Sequence, residues 1–225
     1  MRYLHKVAAI AIKDLRAEAR TRDLTPAMLV YSLIVIVVFN FVFEPGVAER
    51  GSLAPGVLMI AFTFAGMLGL SRSFAAEREE EALRGLVLAP MDRSAIYLGK
   101  LLSNLAFLFG IALTSLLAVG FFFNLDILRV LARLALVLLL AILGFVAVGT
   151  IYAGLASNIR FREVLLPILL FPVIVPILIA AVNAMGMIMR DRPMADASQW
   201  LRLMVGYDAI FVIVGVLIFD NVVRE

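Results

Sequence analysis

The chain has no cysteine, which excludes disulfides, thiolate catalysis, cysteine-ligated metal and thioether attachment of a cofactor. It has one histidine, His5, so neither a cluster of imidazole ligands nor a nucleophile with a histidine partner inside the apolar body can be assembled. Charge is also scarce, with 20 Lys and Arg and 17 Asp and Glu in 225 residues. Those charges avoid the middles of the apolar runs, so no relay of Asp, Glu and His for a proton or ion pathway can be traced. A GxxxxGK[ST] phosphate loop is missing, and no soluble stretch is long enough to house a nucleotide-hydrolysing domain. An intramembrane hydrolase or transferase lacks its convergent polar groups. The small positive balance, +3, sits around apolar runs where orientation and anionic headgroups account for it, and it does not mark a nucleic-acid binder.

What remains is 64% apolar, in blocks too long for core strands or soluble helices, so the natural solvent of most of the chain is lipid. Six spans are expected, at about 25–43, 54–73, 101–122, 131–155, 164–189 and 203–220. They read as helices because the runs are continuously apolar and do not alternate. The whole chain, 1–225, reads as one all-α transmembrane domain. The fifth span carries Pro167, Pro172 and Pro176 and is expected to be kinked or split. The first apolar run exceeds a signal-peptide core and shows no obvious cleavage site, so the segment before it is expected to be retained.

With the N-terminus inside, fourteen Lys and Arg fall on inner segments and six on outer ones: Arg50, Arg129, Arg133, Arg190, Arg192 and Arg202. That bias predicts both termini in the cytoplasm. FFFNLD at 121–126 is then a tight outer turn. The segment at 190–202 is an outer interfacial one, where a short helix would hold the Trp200 indole at headgroup depth. Asp208, at the outer end of the sixth span, is expected to pair with Arg202, Arg190 or Arg192, and Asp126 with Arg129 or Arg133. Arg190, Arg192, Trp200 and Asp208 are the candidate contacts for a partner on that side.

Residues 1–22 read as an interface helix. Leu4, Val7, Ala8, Ala11, Ile12, Leu15 and Ala19 share one side and Lys6, Lys13, Arg16 and Arg20 the other, with Glu18 near the apolar arc. Small polar residues within the spans, Asn104, Thr114, Ser115, Thr150, Tyr152 and Asn183, read first as helix packing or backbone hydrogen bonds. The ten Met are spread through apolar spans as fillers rather than as ligands.

The longest inner segment, 74–100, contains AEREEEALRGLVLAPMDRSAIYLGK from residue 76. Glu77, Glu79, Glu80 and Glu81 gather where a helix begins, Ala82, Leu83, Leu86 and Val87 give it an apolar side, and Pro90 stops it. Asp92 is placed to cap a second short helix leading through Ile96 and Tyr97 to Lys100 at the mouth of the third span. This is more organisation than a connector needs. Four glutamates beside an anionic leaflet suit a basic docking protein better than lipid. The segment is therefore a candidate contact element for a cytoplasmic partner, with Glu77, Glu79, Glu80 and Arg84 as its charges, Leu83 and Leu86 as buried apolar area, and Pro90, Tyr97 and Lys100 completing it.

Three stretches carry a resemblance: RSFAAEREEEALRGLVLAPMDRSAIYLGKLLSN at 72–104, KDLRAEART at 13–21 and LLPILLFPVIVPILIAA at 165–181. Through them and the six-span plan the whole chain resembles the haem exporter protein B family, the membrane permease subunit of the cytochrome c maturation ABC system. The wider exporter superfamily commonly has a Gly-Thr pair before the leucines of its loop. This chain has Glu81-Ala82 there, a departure from polysaccharide and drug exporters that is compatible with the cytochrome branch. The resemblance implies an ABC-2 exporter type of fold with an interface helix and a coupling helix between the second and third spans, in the inner membrane of a bacterium. It implies a separate ATP-binding subunit that holds ATP and magnesium, and a second copy of this chain. It also implies a haem-handling membrane protein, a small accessory membrane subunit and a periplasmic haem chaperone, with haem handled by the complex and no cofactor held by this chain. A structural assembly subunit that transports nothing shares every one of these features.

Overall fold

The computed structural model describes residues 2–21, 24–42, 47–79, 92–156 and 162–222 of the chain. Among them the secondary structure is helical, with no strand. The helices are α1 (Arg2–Thr21), α2 (Leu24–Val42), α3 (Val47–Glu79), α4 (Arg93–Phe122), α5 (Leu131–Ala156), α6 (Arg162–Met189) and α7 (Ser198–Val222), with a 3-10 turn at Leu128–Val130 before α5. Six of them, α2 to α7, are long and apolar enough to cross a membrane. A helix satisfies most of its backbone within itself, which an apolar solvent demands. The fold is all-α, with an N-terminal helix that does not span.

Side-chain size decides which helix sits in the middle. α5 packs on α3, α4, α6 and α7, and Ala141, Phe145, Val146 and Ala147 on it are fully enclosed. Gly66 of α3 lies close against the Phe145 ring, and Gly149 of α5 accepts Leu70 of α3 where a Cβ would collide. Phe62 meets Phe145 edge-on at 5.1 Å, a favourable arrangement for two ring quadrupoles. α2 and α7 stand at the rim with few of their residues buried, as suits helices in lipid.

α6 is one helix from Arg162 to Met189 with Pro167, Pro172 and Pro176 inside it, so the expected split does not occur. The small polar residues divide. Thr114 donates to the Gly110 carbonyl at 3.0 Å and Asn183 to that of Ile179 at 2.8 Å, each one turn back on its own helix. Ser115 donates to Ile111 O at 2.9 Å and joins Ser32 of α2 at 3.1 Å. Asn104 Nδ2 and the Thr150 hydroxyl are buried without a hydrogen-bond partner among the described residues.

At one end, α4 and α6 stop in the same manner. Leu125 N–H donates to Gly120 O at 2.9 Å and Arg192 N–H to Met187 O at 3.1 Å, with Asn124 at φ 53° and Asp191 at φ 56°. These are left-handed caps that satisfy terminal carbonyls, and short polar Asn and Asp adopt them more readily than other side chains. Asn40 of α2 donates to Phe122 O at 2.8 Å and ties α2 to the same corner. Residues 190–197 turn directly into α7, so Trp200, Leu201 and Leu203 belong to the first turns of that helix and form no separate interfacial one.

Candidate coupling interface

The other end of the bundle carries α1, the tail of α3 and the start of α4. The apolar window of α3 is Gly51–Ser71, and its helical backbone continues to Glu79. At 1.5 Å per residue the extra turns project roughly 12 Å beyond that window. Glu77 and Glu79 lie on this projection. Glu80, Glu81, Leu83, Arg84, Leu86 and Pro90 lie outside the described residues.

The chain re-enters at Asp92, which stands at the N-cap position of α4 with φ −66° and ψ 131°. The expected side-chain cap is not made: no cap hydrogen bond comes from the Asp92 carboxylate, and its backbone oxygen instead receives Ala95 N–H at 2.9 Å. α4 then runs without a break from Arg93 to Phe122. Among the described residues no separate short helix precedes the third span, and Tyr97 and Lys100 are part of the spanning helix itself.

Both residues sit deeper than a second short helix on the cytoplasmic surface would put them, because in the second and third turns of α4 they face the bundle. Tyr97 is fully buried. Its hydroxyl lies 3.2 Å from Ala147 O on α5 and 3.4 Å from Phe211 O on α7, and its ring sits 5.4 Å from Phe219. Gly215 of α7 makes the room, because a Cβ there would overlap the phenol. Tyr97 thus joins three helices.

Lys100 is 1% exposed, with Nζ 3.5 Å from Asp14 Oδ2 of α1. Ser103 donates to the same carboxylate oxygen at 3.4 Å, and Tyr3 and Ser94 hydroxyls meet at 2.9 Å. Between these contacts Gly99 lets Ile10 and the Val7 carbonyl approach, its Cβ position being 2.7 Å from Ile10 Cβ and 3.2 Å from Val7 O. Tyr3, Val7, Ile10, Ala11 and Asp14 therefore form the face of α1 that docks on α4. The expected apolar side is only partly right: Val7 and Ala11 are buried, whereas Leu4 is 72% exposed and Ile12 and Leu15 also remain out. Glu18, which looked misplaced on the apolar arc, accepts from Thr25 N–H and from its hydroxyl, each at 3.0 Å. A carboxylate at the opening turn of α2 satisfies a free N–H and fixes the α1–α2 corner.

Sequence reasoning missed Asp14, Ser94, Gly99 and Ser103. The available signal was a second period on α1, with Tyr3, Val7, Ile10 and Asp14 three to four residues apart.

Across the molecule, Arg133 reaches Asp191 at 3.4 Å and Asp126 pairs with Arg129 at 3.0 Å. Arg190 and Arg192 are exposed, and Trp200 is half-buried with no hydrogen-bond partner for its Nε1 among the described residues. Asp208 has not taken its expected arginine. It is 4% exposed, lies over Gly144 of α5 beside Tyr207, and neither oxygen has a hydrogen-bond partner among the described residues. Ten residues into α7, its side chain points into the bundle and away from the arginines of the preceding turn. No group of three His, Cys, Asp or Glu that could hold a metal occurs among the described residues.

A bundle of six apolar helices, an amphipathic non-spanning helix strapped to the base of one of them, and charged turns extending past the apolar layer define a multi-pass helical membrane protein. The family model of the CcmB protein matches residues 5–225, essentially the full length. The chain belongs to the CcmB family. It is 28% identical over 181 residues to heme exporter protein B of Bradyrhizobium diazoefficiens, covering 79% of this chain and 80% of that one. Against heme exporter protein B of Pseudomonas aeruginosa the identity is 29% over 192 residues, covering 83% and 85%.

Proposed function

We propose that this chain, the membrane permease subunit of a heme-exporter-type ABC transporter of cytochrome c maturation, receives the work of a separate ATP-hydrolysing subunit at the end that carries α1. ATP and magnesium belong to that subunit, and haem to a haem-handling membrane protein and a periplasmic chaperone, with a small accessory membrane subunit and a second copy of this chain completing the assembly. Both termini face the cytoplasm of the bacterial inner membrane, and ATP use ends in release of the haem-loaded chaperone.

The observation that carries this reading is the continuity of α4. Its first three turns follow directly on the acidic loop, and in those turns it holds α1 through Lys100 and Asp14 and α5 and α7 through Tyr97. A push on the loop from a docked ATPase is thereby delivered at once to the interface helix and to the interior. Glu77, Glu79, Glu80, Arg84, Leu83, Leu86 and Pro90 supply the docking contact, while Tyr97 and Lys100 lie behind it as relays. On the opposite side Arg190 and Arg192 are the charges that meet a periplasmic partner.

The test combines Glu77→Lys, Glu79→Lys and Leu83→Asp in one variant, because single exposed ion pairs contribute only about 0–1 kcal/mol. Reversed charges oppose a basic docking surface, and the aspartate leaves an unpaired charge in its apolar part. Co-purified ATPase and ATP-dependent release of haem-loaded chaperone are both expected to fall sharply at matched membrane levels. Full binding and normal release would remove the loop from the coupling path.

A further inference from the structure

Asp208 is a carboxyl in the middle of a span. α7 begins at Ser198, which puts this residue at the centre of the apolar window Ser198–Phe219 and not at its outer end. It is the one buried acid among the described residues, and neither oxygen has a hydrogen-bond partner among them. Its neighbours have nothing to offer. Gly144 of α5 lies against it, Ile177 of α6 and the Tyr207 ring crowd the same place, and the Tyr207 hydroxyl donates instead to Val173 O of α6 at 2.9 Å. A carboxyl so placed is disfavoured in the packed bundle and favoured in any arrangement that lets water reach it.

The side of α7 that carries Asp208 also carries the contact with Tyr97. Asp208, Phe211, Gly215 and Phe219 are spaced three to four residues apart and share one face of the helix. Tyr97 lies 3.4 Å from Phe211 O, over Gly215 and 5.4 Å from the Phe219 ring. Since Tyr97 stands in the second turn of α4, a displacement of that turn reaches α7 on the face where Asp208 is held. α7 is also the easier partner to move, because 17% of its apolar window is buried against 72% for α5.

We infer that Asp208 is a positioning residue for the ATP-driven step: it weakens the α5–α7 seam in the packed state, so that a push through Tyr97 parts the seam at Gly144 and brings the carboxyl into water. Water solvates a carboxylate far better than an amide or a hydrocarbon, so the parted state gains what the packed state lacks. The inference rests on the reading that the work of a separate ATPase enters through α4.

Two substitutions test it. Asp208→Asn keeps the shape and removes the charge, and Asp208→Val removes every polar atom. On heating the full chain in detergent, the midpoint for loss of folded protein is expected to be no lower with Asn and about 2–4 °C higher with Val, because no partner is lost. A lower midpoint with Asn, whose shape is unchanged, means that the carboxylate is held by a partner and overturns the inference. In membranes that contain the whole complex, ATP-dependent release of haem-loaded chaperone is expected to follow the reverse order, with Val about three- to tenfold below the parent and Asn between them. A purely structural role would move stability and release in the same direction; release at the parent level with Val overturns the inference. The seam itself is read at Ile177→Cys, a fully buried site beside Gly144 in a chain with no native cysteine. A thiol reacts as its thiolate and so needs water. A small water-soluble thiol reagent is expected to label residue 177 during ATP turnover and not without ATP, and Asp208→Val to suppress that labelling. ATPase recovered with the chain but labelling indifferent to ATP removes the seam and leaves the coupling reading intact; no ATPase recovered with the parent chain defeats the coupling reading itself.

Discussion

Gly144 is a glycine because its neighbours fill the place of a side chain: Ile177 from α6, and Asp208 and Tyr207 from α7, crowd the position a Cβ would take. Gly144→Ala forces those residues apart in a close-packed interior. The expected cost is about 1–3 kcal/mol, read as a lower midpoint for loss of folded protein on heating in detergent. Lys100 and Asp14 are a more informative pair. Asp14→Leu takes the Asp14 carboxylate away from the 1% exposed Lys100 ammonium, and the loss is expected to be at most about 3 kcal/mol, the lower end of the range for broken buried pairs, because the ammonium keeps a further interaction and the Asp14 side chain is still 16% exposed. Lys100→Met together with Asp14→Leu removes both charges and is expected to recover most of that loss in the same heating assay. If the double variant is no better than the single one, the pair is not what holds this corner.

At the level of the element, α1 is held by shape as well as charge. Its docking face closes over Gly99, where Ile10 Cβ is 2.7 Å from the position of a Cβ, and the opposing Val7 carbonyl cannot move without the helix. Gly99→Val is therefore expected to lift α1 from α4 while the six spans stay inserted. The absence of native cysteine gives a clean readout. Val7→Cys, at a site 4% exposed, should resist a thiol reagent in the parent chain and react on the order of tenfold faster once Gly99 carries a side chain, since protection follows the free energy of local opening. Unchanged protection would mean that α4 yields and α1 does not. α6 shows the opposite tolerance: it remains one helix with three prolines inside it, although each removes one N–H from the helix ladder.

For the molecule as a whole the decisive property is its direction through the membrane. The Lys and Arg bias predicts that residue 50 and residue 85 lie on opposite sides, with 85 inside. Arg50→Cys is expected to react with an impermeant thiol reagent added to intact cells and Gly85→Cys only after the membrane is opened. Labelling of residue 85 alone from outside would invert the topology and move the coupling interface to the wrong compartment.

The sequence by itself determined the class of structure, the number of spans and the family, because apolar runs long enough to cross hydrocarbon leave the backbone no alternative to helix and because the quoted stretches span the chain. It also made the acidic loop legible as the place where charge gathers. It did not determine which way side chains face. Tyr97 and Lys100 read as part of a short helix lying on the cytoplasmic surface, yet α4 runs unbroken from Arg93 and turns both inward. Asp208 read as an arginine's partner because arginines precede it, yet its position on α7 points it at Gly144. Asp14 drew no notice, and it anchors α1. In each case the cause is the same: a helical period relates residues on one helix, while the choice of face, and the glycine on the neighbouring helix that admits it, come from packing between segments far apart in the chain, which only the tertiary structure decides.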